Sequence, residues 1–191
     1  MKKGCAIVLI LAACIAVAAF FFGPQLVETG LRFLYPKPYG ELVAREAAEF
    51  GLEEHLVYAV IKTESGFDED AQSHADAHGL MQLTQPTFDW MAELHPPENG
   101  GGDIFDPGDN IHCGCALLRL LLDHYGHLEV ALAAYNAGMG NVDGWLQDSA
   151  YSQDGETLHT IPYPETAAYV EKVQRAYHIY QRLYPAAAET G

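Results

Sequence analysis

The chain has 191 residues, with 10 Lys or Arg against 26 Asp or Glu, for a net charge of −16. That length suits one domain with a short appendage, and an apolar fraction of 49% is enough for a sizeable core. So acidic a chain is excluded as a binder of nucleic acid, whose phosphates select basic surfaces, and nothing in the composition specifies a protein partner.

Residues 1–4 carry Lys2 and Lys3, and residues 5–22 follow without a charge. A run of that length is near the minimum that spans a bilayer as a helix, so the pattern predicts a single-pass transmembrane anchor. The two lysines predict a cytoplasmic start and an extracytoplasmic remainder. Two alternatives stay open: a cleaved signal peptide, and lipid attachment at Cys14, because Leu11-Ala12-Ala13-Cys14 resembles a bacterial lipobox. Residues 23–40, with Pro24, Pro36 and Pro38, read as a juxtamembrane linker. A globular domain is expected over 41–184, and 185–191 form an Ala-rich tail.

The domain reads as mainly helical. Predicted helices cover 41–50, stopped by Gly51, and 53–65, stopped by Gly66. A third begins near Pro86 and carries Phe88, Trp90 and Met91. The others cover 110–125 before Gly126, 128–135 before Gly138, and 166–184 before Pro185. Residues 70–82 and 99–108 read as loops, and the lack of clean alternation allows only a small sheet. Cys113 and Cys115 lie two apart in a predicted helix and point to different faces, so no disulfide framework is expected and both read as core or boundary residues.

The second helix carries the candidate chemistry. Leu56, Val57, Val60 and Ile61 form its apolar stripe, and Glu64 is the next position on that stripe. A carboxyl turned toward a core or cleft resists ionisation, and the negative end of the helix dipole adds to that resistance. Both effects suit a general acid. A structural glutamate paired with a buried arginine fits the pattern equally well.

Several motifs occur in order around this residue: Glu64-Ser65-Gly66-Phe67, Ser73, Gly79-Leu80-Met81-Gln82, Asn110-Ile111, Ala134-Tyr135-Asn136-Ala137-Gly138, Ile161-Pro162-Tyr163, Glu165-Thr166 and Tyr169-Val170. Together they resemble the transglycosylase SLT family. The resemblance implies a mainly α, α+β lysozyme-like fold with a deep groove for peptidoglycan glycan strands. It implies Glu64 as the single catalytic acid/base, with Ser73 and Gln82 beside the reacting sugars and Tyr135 and Asn136 on the facing wall. Glu165 is implied to line or organise the groove, and Tyr163 and Tyr169 are candidates to face sugar rings. The implied reaction is non-hydrolytic cleavage of the MurNAc–GlcNAc bond, giving a 1,6-anhydro end without any cofactor. Three positions depart from the family pattern: Thr84 where Met is frequent, His159 where Glu is frequent, and Ala167 where Arg is common.

Two other functional readings stand beside this one. A goose-type lysozyme-like hydrolase would cut the same bond with water, although Asp68, Glu69, Asp70 and Asp76 read as a solvated loop rather than as a second catalytic carboxylate. A peptidoglycan-binding scaffold without activity is the other. A metal site is not expected: His74 and His78 sit in a predicted loop, and His112, Cys113 and Cys115 find no second pair at zinc spacing.

Overall fold

The computed structural model describes residues 20–23, 25–98 and 100–185. Seven helices and one small hairpin follow a leading helical stretch over 25–34. Helix α1, Gly40–Glu49, starts after Tyr39, whose backbone is left-handed, and buries Val43, Glu46 and Ala47. Helix α2, Glu54–Glu64, buries a continuous run from Leu56 to Ile61, so it is a core helix with Glu64 at its end. Strands β1, Ala77–His78, and β2, Leu83–Thr84, pair antiparallel with Ala77 opposite Thr84. Helix α3, Gln85–Leu94, follows at once, with Pro in its first turn.

Helix α4, Pro107–Tyr125, is the central element. It begins where the Asp106 side chain accepts from the Asp109 amide, and ends at left-handed Gly126. Helices α5, Leu128–Ala137, α6, Met139–Leu146, and α7, Pro164–Leu183, complete the chain. Helix α2 packs along α7, and α5 lies against both α4 and α7. The buried side of α4 holds Ile111, Cys113, Cys115 and Leu118, so both cysteines are core residues. At Gly114 a Cβ would lie 2.3 Å from the Met81 sulfur, which is how closely the segment before β2 is seated on α4.

The mainly helical expectation agrees with this architecture, but the transmembrane part of it is corrected. No helix among the described residues is long and apolar enough to cross a membrane. The described helical residues 25–34 include Gln25, Thr29 and a Glu28–Arg32 ion pair at 2.8 Å, groups that hydrocarbon would leave without water. Among the described residues there is thus no spanning helix to carry the expected single-pass membrane location or the membrane as a partner. Residues 5–19 of the expected span, and Cys14 with its lipid alternative, lie outside the described residues.

Residues 35–39, part of the expected linker, form a strap packed on the domain. The Tyr180 hydroxyl donates to the Pro36 carbonyl and the Tyr184 hydroxyl to the Tyr35 carbonyl, each at 2.9 Å. Lys37 adds a 3.0 Å bond to Glu54 and sits 4.8 Å from the centre of the Tyr58 ring.

Candidate active site

The segments after α2, around the hairpin, at the end of α5 and at the start of α7 enclose a groove of about 990 Å³. Glu64, Ser73, Gln82, Tyr135, Asn136, Tyr163 and Glu165 all line it, so residues spread over a hundred positions meet in one place. Asp68, Glu69, Asp70 and Asp76 are exposed on the adjoining loop and do not line it. Glu69 instead accepts from the Tyr39 hydroxyl, and Asp76 lies 3.1 Å from His78.

The motif around Glu64 has a local physical reason. Ser65 caps α2, and its hydroxyl donates to the Leu80 carbonyl at 2.8 Å while accepting from the Phe67 amide at 3.1 Å. Gly66 and Phe67 both take positive φ in the turn. The turn therefore locks the end of α2, which carries Glu64, to the Gly79–Gln82 segment, and both Glu64 and Gln82 line the groove. Glu64 keeps partial exposure to the groove, yet the protein around its carboxyl removes enough solvent to raise its pKa from 4.5 to about 7. Burial is the dominant cause, and interaction with the Tyr169 hydroxyl pulls weakly the other way. That hydroxyl is buried with no hydrogen-bond partner among the described residues. Burial and the facing Glu64 both keep it un-ionised.

The other groove residues differ in what their polar atoms have left to offer. The Ser73 oxygen accepts from the Ala75 and Ala77 amides at 3.2 and 3.1 Å, and its proton remains available. The Gln82 amide nitrogen donates to the Ala71 and Gly79 carbonyls at 3.1 and 2.9 Å, leaving its oxygen. The Tyr135 hydroxyl is committed to the Met81 carbonyl at 2.9 Å. Asn136 accepts at Oδ1 from the Thr166 hydroxyl at 2.8 Å, which turns its NH2 group away from Thr166. Tyr163 is 49% exposed and stands edge-on to Trp145, with centroids 4.9 Å apart. Glu165 is exposed in the first turn of α7 and is the groove's second carboxylate.

Sequence reasoning missed the supports. Thr166 belongs to a recognised motif, but its bond to Asn136, 30 positions away, has no local signature. Trp145 lies on a helix that was not predicted. Asn110, also inside a motif, is fully buried and bonds the Met81 amide and the His78 and Ile104 carbonyls. Of the departures, Thr84 lines the groove and bonds Thr87 at 2.9 Å, whereas His159 is exposed away from it.

The histidine and cysteine candidates do not assemble. His74 lines the groove, and His78 pairs with Asp76. Burial raises the Cys113 thiol to about 12 and Cys115 well above its ordinary value. Ligand atoms of Glu46, Glu49 and His112 approach within 4.8 Å of one another, but both His112 ring nitrogens are already engaged. Nδ1 lies 2.7 Å from Glu46 and Nε2 lies 3.0 Å from the His95 carbonyl.

Comparison with known proteins gives concordant results. The family model described as Transglycosylase SLT domain matches residues 41–158. A soluble lytic murein transglycosylase of Salmonella typhimurium is 31% identical over 154 residues, covering 78% of this chain and 24% of that protein. The membrane-bound lytic murein transglycosylase C of Yersinia pestis is 32% identical over 169 residues, covering 75% of this chain and 47% of that protein. Among solved structures, an inactive mutant of the lytic transglycosylase Slt from Pseudomonas aeruginosa superposes with a TM-score of 0.69 at 32% identity, covering 80% of this chain and 25% of that one. The chain thus spans about a quarter of the length of the soluble relatives it matches.

Proposed function

Since the chain belongs to the transglycosylase SLT domain family, we propose that it cuts peptidoglycan glycan strands without consuming water, with Glu64 as the single acid/base. The observation that carries this reading is the Glu64 carboxyl, held half-protonated near neutral pH by burial at the wall of a long groove. Glu64 donates its proton to the glycosidic oxygen between MurNAc and GlcNAc as that bond breaks. The substrate's own N-acetyl group assists at the anomeric carbon, which is a known exception to two-carboxylate catalysis. Glu64, now a carboxylate, takes the proton of the sugar's 6-hydroxyl, whose oxygen bonds the anomeric carbon and closes a 1,6-anhydro ring. Glu64 ends the cycle protonated, as it began.

The free polar atoms support positioning roles. Ser73 has a proton to donate, Gln82 an oxygen to accept, and Asn136 an NH2 group to donate, which together match the carbonyl, amide and hydroxyls of N-acetylated sugars. Tyr163, braced by Trp145, offers a flat ring to a sugar face. Tyr135 contributes its ring, because its hydroxyl is spent.

Glu165 in the same groove supports one second reading, hydrolysis by a carboxylate pair. Mass spectrometry of muropeptides released from purified sacculi separates the two. Anhydro-muramyl ends are expected; reducing ends would establish the hydrolase, and absence of any product would leave a binding scaffold.

A further inference from the structure

Trp90 stands between two cavities. With Leu117, Leu121 and Met139 it lines the catalytic groove. Trp90 and Met139 also line a second cavity of about 590 Å³, together with Phe50, Leu120, Arg119 and Asp123. The α-helical period explains the division: Leu117 and Leu121 lie one turn apart and share the groove face of α4, while Leu120 and Asp123 fall on the neighbouring face. Trp90 does not serve the core, which α3 reaches through Phe88 and Met91; the indole is 42% exposed.

Resting on the function proposed above, we infer that the second cavity is a distal saccharide site, into which a long glycan strand continues past Trp90. The chemistry on its walls fits a pyranose. A sugar ring has an apolar C–H face, which the indole matches, and hydroxyls that both donate and accept. Arg119 and Asp123 supply a donor fork and an acceptor side by side, bonded to each other. Because they neutralise one another, the pair offers no net charge to select an ionised stem peptide, but does offer both hydrogen-bonding senses to a polyol. Continuity through Trp90 and Met139 places this occupant on the same strand that fills the groove.

The test is the dependence of kinetics on strand length. Leu120→Trp fills the second cavity from a position outside the groove, and Arg119→Ala removes the donor fork without adding bulk; thermal denaturation verifies that each folds. Kinetics are measured on amidase-stripped strands, long ones against a tetrasaccharide. Both variants are expected to raise KM on long strands, Leu120→Trp by about tenfold, with kcat and tetrasaccharide kinetics unchanged. Equal loss on both lengths, or no loss on either, overturns the distal site. Loss confined to strands that keep their stem peptides also overturns it, and assigns the cavity to the peptide. If the wild-type protein cleaves neither length, the function itself fails, and this site with it.

Discussion

The Tyr135 hydroxyl donates to the Met81 carbonyl at 2.9 Å, joining α5 to the segment before β2 across 54 positions of sequence. The polar tip expected to meet substrate is therefore used to hold two groove walls together. Tyr135→Phe removes that bond and leaves a buried carbonyl without its donor. The expected cost is about 1–2 kcal/mol of stability by chemical denaturation, with turnover of the folded fraction nearly unchanged. A large fall in kcat at unaltered stability would return the hydroxyl to the substrate.

Glu64 serves activity at a cost in stability, and both decline as pH rises. Protonated Glu64 is the active acid, so kcat/KM is expected to fall as pH rises through about 7. Glu64→Gln loses turnover by on the order of 10²-fold or more. The folded-state pKa is raised above the ordinary 4.5, so stability is fully present below that ordinary value and is lost as pH rises toward and through about 7. Glu64→Gln escapes this loss. It should be more stable than the parent at pH 8, on the order of 2 kcal/mol after allowing for solvent in the groove, and equally stable near pH 4. Melting curves at the two pH values read the difference.

Asn110 is a hub that only an amide can serve. Its oxygen accepts from the Met81 amide at 2.7 Å, and its nitrogen donates to the Ile104 and His78 carbonyls at 2.7 and 3.1 Å. Asn110→Ala strands three backbone groups and should cost roughly 3 kcal/mol or more. Asn110→Asp keeps the acceptor, loses both donor bonds and buries a charge, so it should be no better. An Asp variant with parental stability would refute the hub.

His112 has an acceptor at each ring nitrogen, the Glu46 carboxylate and the His95 carbonyl, an arrangement that only the doubly protonated ring satisfies. The groups around it are Glu46, Glu49 and Arg45 on α1, His95 after α3, and Asp109 and Cys113 on its own helix. The Glu46 hydrogen bond raises the His112 pKa above 6.5, against the opposing effect of burial. For Glu46, burial raises the pKa, but His112 and Arg45 outweigh it and leave the value below 4.5. The His112 contribution is therefore complete below 6.5 and fades as pH rises through its raised value; the Glu46 contribution is complete above 4.5 and fades as pH falls through its lowered one. With the Glu64 slope removed by Glu64→Gln, the melting temperature should plateau between those limits. His112→Gln should flatten the alkaline slope and cost about 3 kcal/mol on the plateau.

Several helix ends were legible in the sequence because Gly51, Gly66, Gly126 and Pro185 stop helices by their own backbone geometry. Glu64 was legible because a carboxylate on an apolar stripe is a local anomaly. Helix α6 was not: Met139–Leu146 has eight residues, two of them Gly, too few to establish a period. The β1–β2 hairpin began inside an expected loop, since two-residue strands cannot show alternation. Helix α4 starts at Pro107 rather than Asn110, because the Asp106 cap precedes the first apolar position. The Thr166–Asn136 bond, the Trp145 brace and the unpartnered Tyr169 hydroxyl exist only once distant segments have met. The expected bilayer helix came from hydropathy alone, and the described residues beyond it are too polar to extend it.

The strap over 35–39 gives α7 a second duty. Its first two turns carry Glu165, Thr166 and Tyr169, and its far end grips the strap through Tyr180 and Tyr184. Arg32, on the preceding helical stretch, lies 4.7 Å from the Tyr184 ring centre. Both tyrosine bonds go to backbone carbonyls, so no side-chain replacement within the strap releases them. Helix α7 therefore ties the groove to the strap: the element that presents Glu165, Thr166 and Tyr169 at one end is moored to residues 35 and 36 at the other.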